Sequence, residues 1–503
     1  MTSLMRILFL LIILSCAVTA IAQEKILRMS DISLPPSLGN PFAAIGLPSS
    51  TLWFAMFDAL VRTDESGELE PALALRWTLV EPTRWRFYLR PGVLFSNGES
   101  FNAETVVATM DWLKSDDGKR MVIANELSGL RRAEVIDPLT IDMVTDKPDA
   151  ILPKRLTAVP IVARDAWARL GVDSFALEPV GTGPFVLADW GRQTGRAVLK
   201  ANPASWRPPI IDELHFLQQP DMTTRIQALM SGQVDLINTI TPDVVPEVQA
   251  RGFRIKVSKT PQVFSFAFNT AFDPNSAVGD VRVRQALNYA VNKEAIAGAA
   301  MLGLMNPASQ GASPVTFGYN PSLNPYTYDP EKAKALLAQA GYESGLELEA
   351  EVVVGAAPGD NLMFSLVQQD LRAIGVNVVI RGTVFSDWLR KYLSGTFDTE
   401  MFGLSWNGAP YYDAVRAMEY FSCAKVAYFF CEPNIMPELI ATGSIFDTEK
   451  RRRSLQALSA KFRDLAPAIF LIEISDIAVL SPIVRNFRVR TRVPVYEEID
   501  VVR

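Results

Sequence analysis

Histidine is almost absent. One imidazole, His215, serves all 503 residues, which leaves no second position for a multi-imidazole zinc or nickel site and only one for a Ser-His or Cys-His pair. His215 sits in "IDELHFLQQ", an alternating, strand-like run with no nucleophile motif beside it, and reads as a structural or surface residue. Cysteine is scarce too: Cys16, Cys423 and Cys431 make up the whole set. G-x-S-x-G, P-loop, H-E-x-x-H, G-x-G-x-x-G and the D-x-D-x-D-G calcium loop are all missing. "GTGPF" (181–185) has two glycines but lacks the third and the acidic residue that a dinucleotide fingerprint needs. "SCAK" (422–425) matches S-x-x-K, yet the companions "SDI" at Ser475 and "KTP" at Lys259 fail the S-D-N and K-T-G patterns. No catalytic group and no cofactor is expected, and binding without chemistry fits this inventory. Among alternatives, a carboxylate pair acting as a hydrolase stays open, because acidic residues are plentiful and nothing singles out a pair.

Long apolar runs are missing as well, except at the start. Arg6, the run "ILFLLIILSCAVTA" and Ala20-Ile21-Ala22 have the n-region, h-region and A-x-A site of a cleavable signal peptide. Cleavage after Ala22 predicts a periplasmic protein; lipidation at Cys16 is the rival reading, which Leu14 fits poorly. Removing residues 1–22 takes away Arg6 and no acid, leaving 48 basic against 55 acidic residues and a net charge of −7. The signs are interspersed, so no nucleic-acid face or polybasic membrane patch is expected. "EKRRRS" (449–454) is read as the solvated side of an amphipathic helix. Cys423 and Cys431, eight positions apart in an exported chain, read as one disulfide; a metal site there would lack companions.

What is present is a mixed order of helix and strand signals over a length that usually means two or three domains. Asp329 and Pro330 start a helix that Gly341 stops. Strands over 346–354 and 376–382 flank a helix over 360–374, a βαβ unit with a parallel pair. Asp280 is read as the cap of one helix through "VRVRQALNYAVNKEAIAGAAM". A second amphipathic helix buries Leu455, Leu458, Phe462 and Leu465, and "AIFLIEISDIAVL" after Pro467 is a buried strand. From Ser405 to Phe430 there are eight aromatics in 26 positions, against 10% in the whole chain. "YFF" (428–430) reads as core. Trp406, Tyr411 and Tyr412, interrupted by Asn407, Gly408 and Pro410, read as the wall of a pocket for a polar organic solute.

Five segments in order resemble one family, the large solute-binding proteins of peptide/nickel-type ABC importers. They are "LRPGVLFSNGESFNAETVVATMDWL" (89–113), "PVGTGPFVLADW" (179–190), "ANPASWRPPIIDELHFLQQPDMTTRIQALMSGQVDLI" (201–237), "FAFNTAFDPNSAVGDVRVRQALNYAVNKEAI" (266–296) and "FSCAKVAYFFCEP" (421–433). Within the first, Asn97-Gly98 is a hairpin turn and Asn102 a helix cap with Glu104 in the first turn. The resemblance implies an α/β, periplasmic-binding-protein-like fold of two lobes with an extra inserted domain and the ligand cleft between the lobes. The expected division is 23–53 plus 176–259 plus 476–503 for lobe I, 54–175 for the insertion and 260–475 for lobe II. It also implies a monomer that captures a peptide or similar small solute by hinge closure and delivers it to an inner-membrane permease.

Peptide-binding members resemble this chain at "SWNGAPYYDAV" (405–415) but carry W-x-x-D there, the aspartate pairing with the peptide ammonium. Here Trp406 is kept and Ala409 stands at the aspartate position. Asp413 is the expected substitute, and Arg416 is expected to favour an anionic group. With Asn407, Gly408, Tyr411 and Tyr412, and with Asn40 and Phe42 from "SLGNPFAAIGLP" (37–48), these are the candidate ligand contacts. A peptide, a non-peptide solute (an opine, a sugar conjugate or a phosphate) and a nickel chelate all stay open as ligands.

Overall fold

In the computed structural model, the described residues are 24–502 apart from 192, 274, 355–358, 426 and 491. The expected signal peptide and Cys16 lie outside them.

Ten strands form one continuous mixed sheet. In spatial order they are Val376–Thr383, Leu346–Val353, Met401–Asn407, Arg254–Phe268, Ala468–Leu480, Leu236–Ile237, Ile26–Asp31, Glu213–Gln218, Arg196–Ala201 and Phe185–Asp189. Two strands of 15 and 13 residues, Arg254–Phe268 and Ala468–Leu480, run through both halves of this sheet. Their first stretch of pairing, Arg254↔Leu480 to Lys259↔Ser475, lies beside Leu236; the second, Val263↔Glu473 to Ala267↔Ala468, lies beside Met401–Asn407. Between Lys259 and Val263 the register shifts, and the Thr260 hydroxyl donates to the Ile474 carbonyl there at 2.7 Å. A β-bulge at this position bends and twists the strands between the two halves.

Local signals place many elements where the sequence puts them. Asp329 accepts from the Lys332 amide at 2.9 Å, and the helix Pro330–Gln339 ends before Gly341, whose φ of +90° suits glycine. Leu346–Val353 and Val376–Thr383 pair in parallel across the helix Asp360–Arg372, completing the βαβ unit. Asn102 caps Ala103–Lys114 through the Thr105 amide. Cys423 and Cys431 are joined by a disulfide.

Three expectations need correction. The segment after Asp280 is two helices, Val281–Ala290 and Lys293–Ala299, because the Asn292 side chain caps the second through the Ala295 amide at 3.0 Å. Arg451, read as a solvated base on the helix Thr448–Leu465, is 4% exposed. Tyr428 is 46% exposed, while Phe429 and Phe430 are buried as expected.

Residues 74–145 add a separate antiparallel sheet, in the order Ala74–Glu81, Arg84–Leu89, Thr140–Thr145, Leu130–Asp137. Its core is continuous with that of the Ile26–Asp31 half of the large sheet and with the C-terminal residues Tyr496, Ile499 and Val501. Two further cores complete the packing: one runs from Ile226, Leu229, Ile237 and Val248 to the βαβ unit, and one lies around Trp406, Phe421, Phe462 and Phe470.

Candidate functional site

Two adjoining cavities lie where the halves of the large sheet meet. The first, about 540 Å³, is bounded by Thr239 and Ile240 of one half, by Gln262, Ser405 and Asn407 of the other, and by Ile474–Ile477 at the strand crossing. The second, about 330 Å³, lies between the segment 41–62, Asn125 and Glu126, the tail 490–497, and the turn Asn407–Ala409–Pro410. Leu47, Asn407, Arg416, Tyr420 and Arg492 border both. This size suits a small organic ligand.

Charge in the walls is dense and mostly paired. Arg207 binds Asp58 at 2.7 Å and Glu497 at 2.8 Å. Arg62 reaches Glu497 at 3.1 Å and Arg490 lies 3.9 Å from it. Arg492 grips Asp476 through both of its faces, at 2.6 and 2.7 Å. Burial alone would raise Glu497, but Arg207 and Arg62 hold it below the usual carboxylate range. Arg416 donates to the Asn407 carbonyl at 3.0 Å and stands 3.8 Å from Glu126, with its Nε–H buried and without an acceptor among the described residues. Five arginines (62, 207, 416, 490, 492) thus face four carboxylates (Asp58, Glu126, Asp476, Glu497) across the two walls. Every one of these carboxylates already faces an arginine, while Arg62 and Arg490 each also stand 3.6 Å from Glu70 and Arg490 stands 3.8 Å from Glu498, outside the lining.

The segment 405–416 divides sharply. Asn407 and Arg416 border both cavities and Ala409 borders the second. Trp406 does not line a cavity: it is 1% exposed, stacked on Phe421 at 4.0 Å and edge-on to Phe462 and Phe470. The pleat turns Ser405 and Asn407 toward the cavity, and the residue between them takes the other face. Gly311 backs the indole so closely that an added Cβ would meet the ring at 2.0 Å. Gly408 holds the turn through its amide, which donates to the Pro261 carbonyl at 2.8 Å.

Asp413 is the larger correction. It is fully buried and lines neither cavity. Arg451 grips both of its carboxylate oxygens at 2.7 and 2.9 Å, Lys154 stands at 3.5 Å, and the Val415 amide donates to it at 3.2 Å as a helix cap. Burial would raise its pKa, but the two cations hold it below the usual range. A carboxylate so committed has no free lone pair to turn toward a ligand ammonium. Tyr411 is buried, its hydroxyl donating to Glu126 and accepting from Arg155 at 3.4 Å. Tyr412, with φ of +53°, borders a different cavity of about 240 Å³ beside Lys256 and Lys259. Asn40 and Phe42 are also core: the Asn40 carbonyl oxygen accepts from the Phe42 amide, and Phe42 packs against Trp112 and Trp167.

Residues the sequence reading passed over supply most of the walls. Arg490 and Arg492 come from "RVRTRVP", whose alternating bases were a visible signal. Phe385, Trp388 and Tyr392 come from "FSDWLRKYL", aromatics three and four apart on one helix face. Arg62, Arg207 and Glu126 carry no local signal. Ser422 of the S-x-x-K match is fully buried and its neighbour Cys423 is in the disulfide. His215 lies on the strand Glu213–Gln218 beside Glu213 at 2.7 Å. No group of three or more metal-ligating side chains occurs among the described residues, and no helix there is long and apolar enough to cross a membrane.

Comparison with known proteins agrees with this architecture. The dipeptide-binding protein of Escherichia coli K12 is 28% identical over 425 residues, covering 79% of this chain and 78% of that one. Heme-binding protein A of Haemophilus influenzae is 31% identical over 380 residues, covering 68% and 67%. The ABC transporter substrate-binding protein CtaP of Listeria monocytogenes shares the fold, with a TM-score of 0.84 at 17% identity over 95% of this chain and all of that one. Residues 68–428 match the model of the bacterial extracellular solute-binding proteins, family 5 Middle. The chain belongs to the family 5 extracellular solute-binding proteins.

Proposed function

We propose that the protein captures a peptide or similar small polar solute with a carboxylate in the two adjoining cavities and delivers it to an inner-membrane ABC permease. Export by the segment 1–22 would place it in the periplasm. Lobe I would comprise 23–53, 176–259 and 476–503, the inserted domain 54–175, and lobe II 260–475. Closure would turn on the register shift between Lys259 and Val263, where the long strands pass from one half to the other. The dipeptide-, nickel- and glutathione-binding relatives support solute capture as the role.

One observation carries the ligand reading: Arg416 borders both cavities, meets a carboxylate only at 3.8 Å and keeps a buried Nε–H without an acceptor among the described residues, while Ala409 stands where an ammonium partner is expected. A bidentate arginine matches a carboxylate or phosphate in charge and shape. Leaving a buried ammonium unpaired costs several kcal/mol. The withdrawal of Asp413 therefore favours a second reading beside the peptide, a solute without a peptide's free primary amine, such as a sugar phosphate or an opine whose amine nitrogen is substituted. Mass spectrometry of solute released from the protein purified from its native host, with thermal shifts against acidic peptides, opines and sugar phosphates, tests both. One acidic class raising the melting temperature without being consumed supports capture; turnover without stabilisation by any solute refutes it.

A further inference from the structure

An aromatic ladder borders the same cavity as Arg416 and Arg492. On the helix Phe385–Ser394, Phe385 and Trp388 are stacked with centroids 6.1 Å apart and planes within 14°, and Trp388 and Tyr392 are stacked at 5.2 Å and 6°. All three border the 540 Å³ cavity. Trp388 is anchored in the core, 8% exposed and edge-on to Phe397 at 5.9 Å. Here three nearly parallel rings form a ledge, and its outer member is left open: Phe385 is 60% exposed and the preceding Val384 61%. The Trp388 indole N–H is buried without an acceptor among the described residues. Tyr420, next to Tyr392 at 6.4 Å, continues the ledge to the border with the arginine-lined cavity.

We propose that this ledge is a stacking platform, and that the captured solute is an elongated acid with a flat aromatic group at the end opposite its carboxylate. The inference rests on solute capture in this cleft and adds the chemistry of the ligand's far end. A planar ring lying along the ledge covers apolar surface that is otherwise wet and makes aromatic contacts with the rings beneath it. The carboxylate then falls toward Arg416 and the arginine-lined cavity.

The test uses the mature protein and three probes, N-benzoyl-glycyl-aspartate, N-acetyl-glycyl-aspartate and N-benzoyl-glycinamide, titrated by calorimetry into wild type, Phe385→Ala and Tyr392→Leu. The exposure of Phe385 makes its truncation harmless to folding, which far-ultraviolet circular dichroism checks. The aromatic acid is expected to bind at least about tenfold tighter than either partial probe. Both variants are expected to lose about that factor for the benzoyl acid and nothing for the acetyl acid. Equal binding of the two acids, or equal losses for both in the variants, overturns the platform while leaving capture intact. Failure of all three probes overturns the platform, and solute capture falls with it only if the natively purified protein also releases no solute. A natively bound solute without an aromatic ring overturns the platform alone.

Discussion

The buried group Asp413–Arg451–Lys154 distinguishes a structural carboxylate from a ligand-binding one. Its members come from distant parts of the chain: the start of the helix Ala414–Tyr420, the first turn of Thr448–Leu465 and the short helix Leu152–Arg155. Their side chains are 0, 5 and 12% exposed. Arg451→Met would leave Lys154, at 3.5 Å, as the carboxylate's one cation and remove the Nε–H that donates to the Thr442 carbonyl at 3.1 Å, leaving that carbonyl the Ile445 amide at 3.4 Å. Asp413→Asn would leave two buried cations facing each other. Breaking one partner of a buried pair costs about 3–5 kcal/mol, so each single variant should lose roughly that much in urea unfolding at pH 7, followed by tryptophan fluorescence. The double variant should cost less than the sum of the two by about 2–3 kcal/mol. Because the Asp413 pKa lies below its unfolded value, its contribution is fully present above about pH 4 and fades as pH falls through the lower folded value. Ligand affinity, measured where the variants remain folded, should change little. An Asp413→Asn protein within about 0.5 kcal/mol of wild type but at least about a hundredfold weaker in ligand binding would refute this assignment and return Asp413 to the ligand.

Gly311→Ala would drive a methyl into the Trp406 ring and should cost about 1–3 kcal/mol by overpacking, while Trp406→Ala should cost about 3–5 kcal/mol as a core cavity; both appear as lowered urea midpoints, and unchanged stability in either would show that the indole is not core. Lys293 is enclosed beside Asn288 and the Tyr326 ring, and burial, with Arg463 nearby, pushes it down to about 7. The unfolded chain therefore binds the extra proton between about pH 7 and 10, and stability should rise across that window by about 1 kcal/mol per pH unit relative to Lys293→Met; parallel pH profiles for the two proteins would rule this out.

Much of the fold was readable because its signals are local. Asp329, Asn102 and Asp280 cap helices through their own next turn, and the strand-like runs read at 346–354 and 376–382 differ visibly from the helix between them. The break at Asn292 escaped because no glycine or proline marks it; a side chain competing for the next amide does. The site was harder. Of the expected contacts, Asn407 and Arg416 border the cavities, whereas Trp406, expected in the pocket wall, is packed on the other face of its strand, since periodicity gives a strand two faces and says nothing of which one is core.

Asp413 and Arg451 show the limit most clearly. In the sequence one is a spare carboxylate near a pocket and the other a base in a charged run; in three dimensions they neutralise each other, 38 positions apart. The sequence by itself determined the element types, the family, the disulfide partners and the absence of catalytic motifs, because each depends on residues close along the chain or on a motif order. Only the tertiary structure decided which charges remain for a ligand. Pairing depends on distance in space, and Arg62 from a short strand, Arg207 from a loop, Arg416 from a helix and Arg492 from a turn meet around the two cavities only in the folded chain.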